Sequence, residues 1–358
     1  MGILVFIIVL ALLVLIHEFG HFIVAKKNGI LVEEFGFGFP PRIFGIKIGE
    51  TLYSINLLPI GGFVKVYGEE YHEGTSVDPK LKGRAFINKK PWQKASVIVA
   101  GVIMNFLLGW VLISYLFTQG VPSPTGKVIV EKVTPNSPAQ VVGLQSKDSI
   151  VRFTDATKTY PITSTKDLIS TVSLLGNKEV TLIYKTPQGE EKKVLITPRK
   201  NPPQGQGALG ITIYEETAIK KYPWYEAPIK GLTYAYSLTS EIVHQLGLTL
   251  AKLVTGNGGQ VEVTGPVGIA QYTGKAVQYG SNAVIELIAL LSLNLAVINI
   301  LPFPALDGGR LVFIVYEWIS RRRVNQKFEQ YLNLAGFAIL IGLTVLVTAN
   351  DIIKLVRH

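Results

Sequence analysis

Four stretches of this chain are apolar over about the twenty residues that a helix needs to cross a hydrocarbon core: residues 2–25, about 95–117, about 283–302 and about 332–348. Such stretches leave few choices. In lipid every backbone N–H and C=O must be paired within the protein, so each reads as a transmembrane helix. Bulk composition agrees, with 48% hydrophobic and only 17% charged residues and a mean hydropathy of +0.34. That balance excludes an ordinary soluble protein. The first window lacks a basic start and a small-x-small cleavage site, so it reads as a retained span rather than a removable signal peptide.

Basic residues set the expected orientation. Lys26 and Lys27 follow the first span, Lys89, Lys90 and Lys94 precede the second, and Arg310 and Arg321–Arg323 follow the third. The opposite ends, 117–126 and 278–283, carry no charge. The positive-inside rule then puts 26–94 and 307–331 in the cytoplasm and 118–280 outside, with Lys354 and Arg357 weighing the other way. A multi-pass protein of the inner (plasma) membrane is expected. The net charge of +10 is accounted for by these flanks, so nucleic acid is not an expected partner, whereas the lipid bilayer is. Cysteine is absent, which leaves only histidine and carboxylates to hold a metal and removes thiolate nucleophiles.

One span carries residues that crossing a membrane does not require. In "LIHEFGHFIVAKK" (15–27), His17 and His21 lie four apart on one helical face, about 6 Å along the axis and rotated by about 40°, as two ligands of one metal would be. Glu18 stands beside the first, where it can act as general base. Ionisable groups at membrane depth cost roughly 2.5–3.5 kcal/mol each, so they call for a partner; the alternative is a trio that marks the cytoplasmic interface. A third ligand is offered by "NLAVINILPFPALDGGR" (294–310), where Pro302, Pro304, Gly308 and Gly309 break an apolar run around Asp307. Asp307 is alternatively a cap for the helical segment that follows.

Between the spans the composition changes. Residues 32–69 are rich in glycine and aromatics, and "SINLLPIGGFVKV" is apolar enough to dip into the membrane, so 51–66 is expected to be a re-entrant β element whose edge could accept an extended peptide. From about 125 to 200, strand-like runs "KVIVEKV", "DSIVRF" and "EVTLIYK", a turn "TPQGEE" and a short helix at 164–175 resemble a PDZ domain. That family usually has glycine before the Asp of one turn, where this chain has Lys147 before Asp148. Residues 201–225 read as a linker followed by a strand at 208–213, and 226–255 as a surface-lying amphipathic helix. His72 and His244 read as solvated, the first in a loop and the second on that helix. No internal repeat is visible.

"HEFGH" in the first span and "NILPFPALDGG" in the third are similar to the paired motifs of the site-2 protease family of intramembrane zinc metalloproteases, in the bacterial sigma-factor-regulating type with one PDZ domain. "GPVGIAQ" (265–271) and "AGVIMNF" (100–106) extend the likeness, the latter with Val102 where the family has proline. The resemblance implies Zn2+ held by His17, His21 and Asp307, with Glu18 as catalytic base and Asn299 as a substrate-positioning residue. It implies an endopeptidase acting on transmembrane segments of pre-trimmed single-span proteins: anti-sigma factors, remnant signal peptides or pheromone precursors.

The expected fold class is thus an α-helical polytopic membrane protein with four transmembrane helices, the third broken, a re-entrant β element and an inserted α+β PDZ domain. The expected segments are 1–25 (first span), 26–94 (cytoplasmic and re-entrant region), 95–117 (second span), 118–205 (PDZ), 206–282 (linker strand and amphipathic helix), 283–320 (broken third span) and 321–358 (fourth span and tail). Two rivals stand beside the enzyme. A catalytically inactive PDZ-bearing scaffold would expect an altered site residue, and a transporter would expect matching breaks in two repeated halves.

Overall fold

The computed structural model describes residues 2–69, 78–203, 205–255, 264–322 and 324–357. His72 and Arg323 lie outside the described residues. Two compact units are present, one built from 1–118 with 222–358 and the other from 119–221.

In the first unit, helix α1 (Gly2–Lys27) is an almost unbroken run of Leu, Ile and Val. It stops in a Schellman motif: Gly29 takes a left-handed φ of 64°, and Ile30 N–H donates to the Ala25 carbonyl at 3.0 Å while Gly29 N–H donates to Lys26. Ile30 then buries itself against Ala25 and Val32, and Lys26 and Lys27 sit where the helix dipole favours cations.

The chain continues into strands β1 (Val32–Ile48) and β2 (Thr51–Val66). These fold over so that residues 34–37 have 62–65 on one side and 52–55 on the other, and 52–56 also pair with 42–47. Four strand segments therefore stand side by side. No third strand joins this sheet among the described residues. Its tip exposes Ile43, Phe44, Ile46, Leu57 and Leu58, an apolar surface in keeping with a segment that meets lipid.

Helix α2 (Pro91–Gln119) follows and runs unbroken through Val102. Beyond the second unit come α5 (Ala227–Val254), α6 (Pro266–Tyr279), α7 (Ser281–Ile300), α8 (Asp307–Ser320) and α9 (Gln326–Arg357). Among the described residues four helices, α1, α2, α7 and most of α9, are long and apolar enough to cross a membrane. The third hydrophobic run is interrupted where its prolines predict, leaving residues 301–306 outside helix between α7 and α8.

The 119–221 unit is a six-stranded sheet with two short helices. Its strands are β3 (Val121–Val133), β4 (Ser149–Thr154), β5 (Thr159–Pro161), β6 (Val180–Lys185), β7 (Glu191–Ile196) and β8 (Ile211–Lys220). They run in the order β7-β6-β4-β3-β8 with β5 on β4. Helices α3 (Pro138–Val141) and α4 (Thr165–Leu174) close over a core of Val128, Val130, Ile150, Phe153, Leu168, Leu175 and Leu182. The unit runs to Lys221, past the expected boundary at 205. The reason is pairing: β8, read from composition as a linker strand, is hydrogen-bonded to β3 along most of its length. Lys147 adopts a φ of +74°, the region that glycine favours. Its neighbour Asp148 still closes the turn, accepting from Gln145 N–H at 2.8 Å.

Helix α5 (Ala227–Val254) does more than lie on a surface. It buries Ala235 with Ile113, Ala289 and Leu293 and packs Leu238 and Ile242 onto them, while the Trp110 indole N–H donates to the Pro228 carbonyl at 2.8 Å. His244 faces outward. Helix α6 packs against α1, α7 and α9. Its amino terminus lacks a side-chain cap of its own; instead the buried Asp351 of α9 accepts from Gly265 N–H at 3.0 Å and Gly268 N–H at 2.9 Å. A carboxylate there satisfies two donors that the helix cannot. Asp351→Ala is expected to destabilise this corner by roughly 1–3 kcal/mol. Hydrogen exchange at 265–269 should accelerate while exchange in β3–β8 stays as in wild type; equal protection of 265–269 in both proteins would deny the carboxylate this role.

Candidate metal centre

His17 and His21 share the buried face of α1 near its carboxy-terminal end. Asp307 comes to them from the first turn of α8. It is not a cap: the residue before the helix is Leu306, and no side chain caps the first turn. The Asp307 carboxylate turns to the histidines instead, with Oδ2 at 3.0 Å from His17 Nε2 and 3.3 Å from His21 Nε2, and the two Nε2 atoms are 3.1 Å apart. Four ligands about 2.0–2.1 Å from a tetrahedral zinc stand about 3.3 Å from one another, so this triangle has nearly the size such an ion requires. Asp307 Oδ2 is buried yet has no hydrogen-bond partner. An orphaned carboxylate oxygen beside two imidazole nitrogens is a poor hydrogen-bonding arrangement and a good set of metal donors. Among the described residues it is the one cluster of three such groups within metal-ligand reach.

The neighbouring elements explain how the donors are held. His21 Nδ1 is 2.8 Å from the Val97 carbonyl of α2, which fixes the proton there and leaves Nε2 free as a ligand. Helix α2 comes this close because Gly101 has no side chain: a Cβ there would stand 2.5 Å from His21 Nε2 and 2.6 Å from His17 Cε1. Gly20 of α1 likewise faces the Ala100 carbonyl with no room for a Cβ. On the other side, Gly308 and Gly309 let the start of α8 sit directly against the carbonyls of Ile300, Leu301 and Phe303. Helix α8 is further tied by Lys94–Glu317 at 3.0 Å and by the ion pair of Arg310 with Glu69. Lys94 and Arg310, counted in the sequence as bases that set topology, are thus also structural partners.

Glu18, next to His17, packs its side chain near Gly62 of β2, where a Cβ would lie 3.3 Å from Glu18 Cγ. Asn299, in the last turn of α7, brings its amide nitrogen to 3.4 Å from His17 Nε2 and 3.5 Å from Nδ1. The structure therefore gathers His17, His21, Asp307 and Asn299, with Glu18 beside them. It adds Val97, Gly101 and Asn105, whose Nδ2 is 3.4 Å from His17 Nδ1. "AGVIMN" holds Gly101 and Asn105 one turn apart on one face, a spacing that was visible in the sequence although its meaning was not.

Gly101→Ala is expected to push the rings apart and abolish stoichiometric zinc in the purified protein, with insertion into membranes unaffected. Elemental analysis that finds one zinc per chain in that variant would contradict the packing described.

Comparison with known proteins agrees in class. The model of "Peptidase family M50" matches residues 5–343. A Clostridium acetobutylicum protein with a provisional zinc metalloprotease name is 35% identical over 353 residues, covering 98% of this chain and 97% of its own. One from Clostridium perfringens, named in the same way, is 37% identical over 344 residues, 95% of each chain. Zinc metalloprotease RasP of Shouchella clausii is 32% identical over 429 residues, 98% of this chain and 99% of its own.

Proposed function

The chain belongs to peptidase family M50, the site-2 protease family, and is a multi-pass membrane zinc metalloprotease; from that premise we propose that it hydrolyses peptide bonds within transmembrane segments of single-span membrane proteins. In this reading His17, His21 and Asp307 hold the zinc, Glu18 is the catalytic base and Asn299 positions substrate. The observation that carries it is the convergence of three buried donors at 3.0–3.3 Å from α1 and from the break between α7 and α8.

Zinc held by these residues would supply a Lewis acid for the scissile carbonyl and would lower the pKa of a water at its open position toward about 7. Glu18 would act as general base, taking a proton from the attacking water and returning it to the leaving amine. The Asn299 amide donates a hydrogen bond to the oxygen on which charge develops. A helical substrate must first unwind, because its own hydrogen bonds shield its peptide bonds. The sheet edge at 58–66, whose outer side has no strand among the described residues, passes Glu18 at Gly62 and offers an unwound stretch a place to pair.

Topology belongs to the same proposal. The charge bias supports an inner-membrane protein with the zinc near the cytoplasmic side and residues 119–221 outside. The inserted unit, as a PDZ domain, would then act as a filter that passes substrates already trimmed by an earlier protease. Anti-sigma factors and remnant signal peptides are the substrate classes that fit.

In a reconstituted assay the wild type is expected to cut a pre-trimmed single-span substrate and spare its untrimmed form. Glu18→Gln should keep one zinc per chain and lose at least about 10²-fold in rate. A variant that keeps its rate would remove Glu18 from the chemistry, and equal cleavage of both substrate forms would remove the filter. The sheet edge has a separate test. Gly61 has a φ of 87°, which proline cannot adopt, and it is not the residue against Glu18. Gly61→Pro should slow cleavage severalfold with zinc content unchanged; a wild-type rate would rule out strand addition.

A further inference from the structure

The two imidazoles of the centre are not held in the same way. His21 leans on a backbone carbonyl, Val97 at 2.8 Å from Nδ1, which can only accept. A proton therefore sits on Nδ1 and Nε2 faces Asp307. The Nδ1 atom of His17 meets two side-chain amides, Asn105 at 3.4 Å and Asn299 at 3.5 Å. Asn299 is as close to Nε2, at 3.4 Å, so it lies along the ring and selects neither nitrogen. Asn105 approaches Nδ1 alone.

Asn105 is fully buried, and its surroundings constrain it. It lies on α2 one turn beyond Gly101, and its backbone carbonyl accepts from the Ser292 hydroxyl of α7 at 2.7 Å. Its side-chain oxygen is buried without a partner. The oxygen and nitrogen of an amide have nearly the same shape, so which of them faces a neighbour is decided by hydrogen bonding. With the nitrogen facing His17, an N–H would confront the Nδ1–H of a ring whose Nε2 lone pair is needed for a metal. Half a turn of the amide replaces that clash with an Nδ1–H donating to Oδ1. Either setting leaves the far amide atom without a partner, so the ring decides.

We propose that Asn105 is a positioning residue of the metal centre: its side-chain oxygen accepts from His17 Nδ1–H and thereby fixes the tautomer and the plane of that ligand, as the Val97 carbonyl does for His21. The inference rests on His17 being a zinc ligand, as argued above. It gives a chemical reason for a polar side chain at a point in α2 where the flanking positions, Gly101 and Gly109, are occupied for lack of space. Partners of this kind, one atom behind the ligand, typically govern metal affinity by about 10–100-fold.

The test is zinc affinity, measured on the full chain in detergent by competition with a chromophoric chelator, alongside the melting temperature of the zinc-free protein. Asn105→Leu and Asn105→Ala both remove the acceptor, the first at nearly constant volume and the second at reduced volume. Asn105→Asp keeps it. Both acceptor-free variants are expected to weaken zinc binding about 10–100-fold, and Asn105→Asp to stay within a few fold of wild type. If affinity instead follows the melting temperature of the zinc-free proteins whatever the acceptor, or if Asn105→Ala binds as wild type does, the proposal is overturned. His17→Ala measured in parallel separates the two readings. Retention of tight zinc in that variant would sink the ligand assignment itself, whereas its loss together with unchanged affinity in Asn105→Ala would sink this inference alone.

Discussion

The approach of the Asp307 carboxylate to two imidazoles of the first helix, at 3.0 and 3.3 Å, is the contact on which the rest of the structure depends. None of the three groups is at home at membrane depth, where each ionisable side chain costs a few kcal/mol. Brought together they form a set of donors sized for one divalent cation, whose charge would offset that of the carboxylate. The helices around them are arranged to allow this meeting. Helix α2 is drawn against α1 through Gly20 and Gly101, and α8 is seated on the backbone of the break through Gly308 and Gly309.

The interrupted third run is the second consequence. A continuous helix through 283–320 would satisfy its backbone but would carry Asp307 on a regular helical face. Pro302 and Pro304 end that regularity, and a new helix begins at Asp307. Its first residue is thereby free to aim inward, and the ion pairs Lys94–Glu317 and Arg310–Glu69 hold the new segment. Irregular backbone of this kind is tolerated at membrane depth only where protein or a water-filled cavity covers it.

Next to this rigid centre the chain places a long sheet edge. Gly62 lies over Glu18, so the proposed base and the sheet edge proposed to receive an extended substrate are one side chain apart. The 119–221 unit has a core of its own.

The sequence by itself determined the four apolar helices, the break, the short strands of the inserted unit and the identity of the candidate ligands. These depend on local quantities: the length of an apolar run, the spacing of two histidines on one helix, a proline that cannot continue a helix. It read a strand at 208–213 as part of a linker outside the inserted unit and α5 as a surface helix, because pairing with β3 and packing on α2 and α7 are relations between distant residues that leave no local mark. It left Asp307 open between cap and ligand for the same reason. Tertiary structure turned the Asp307 carboxylate away from the helix start toward the two histidines and set Val97, Gly101 and Asn105 around their rings. The direction of a carboxylate and the room beside a ring are set by which helices touch, and that contact is fixed only when the chain has packed.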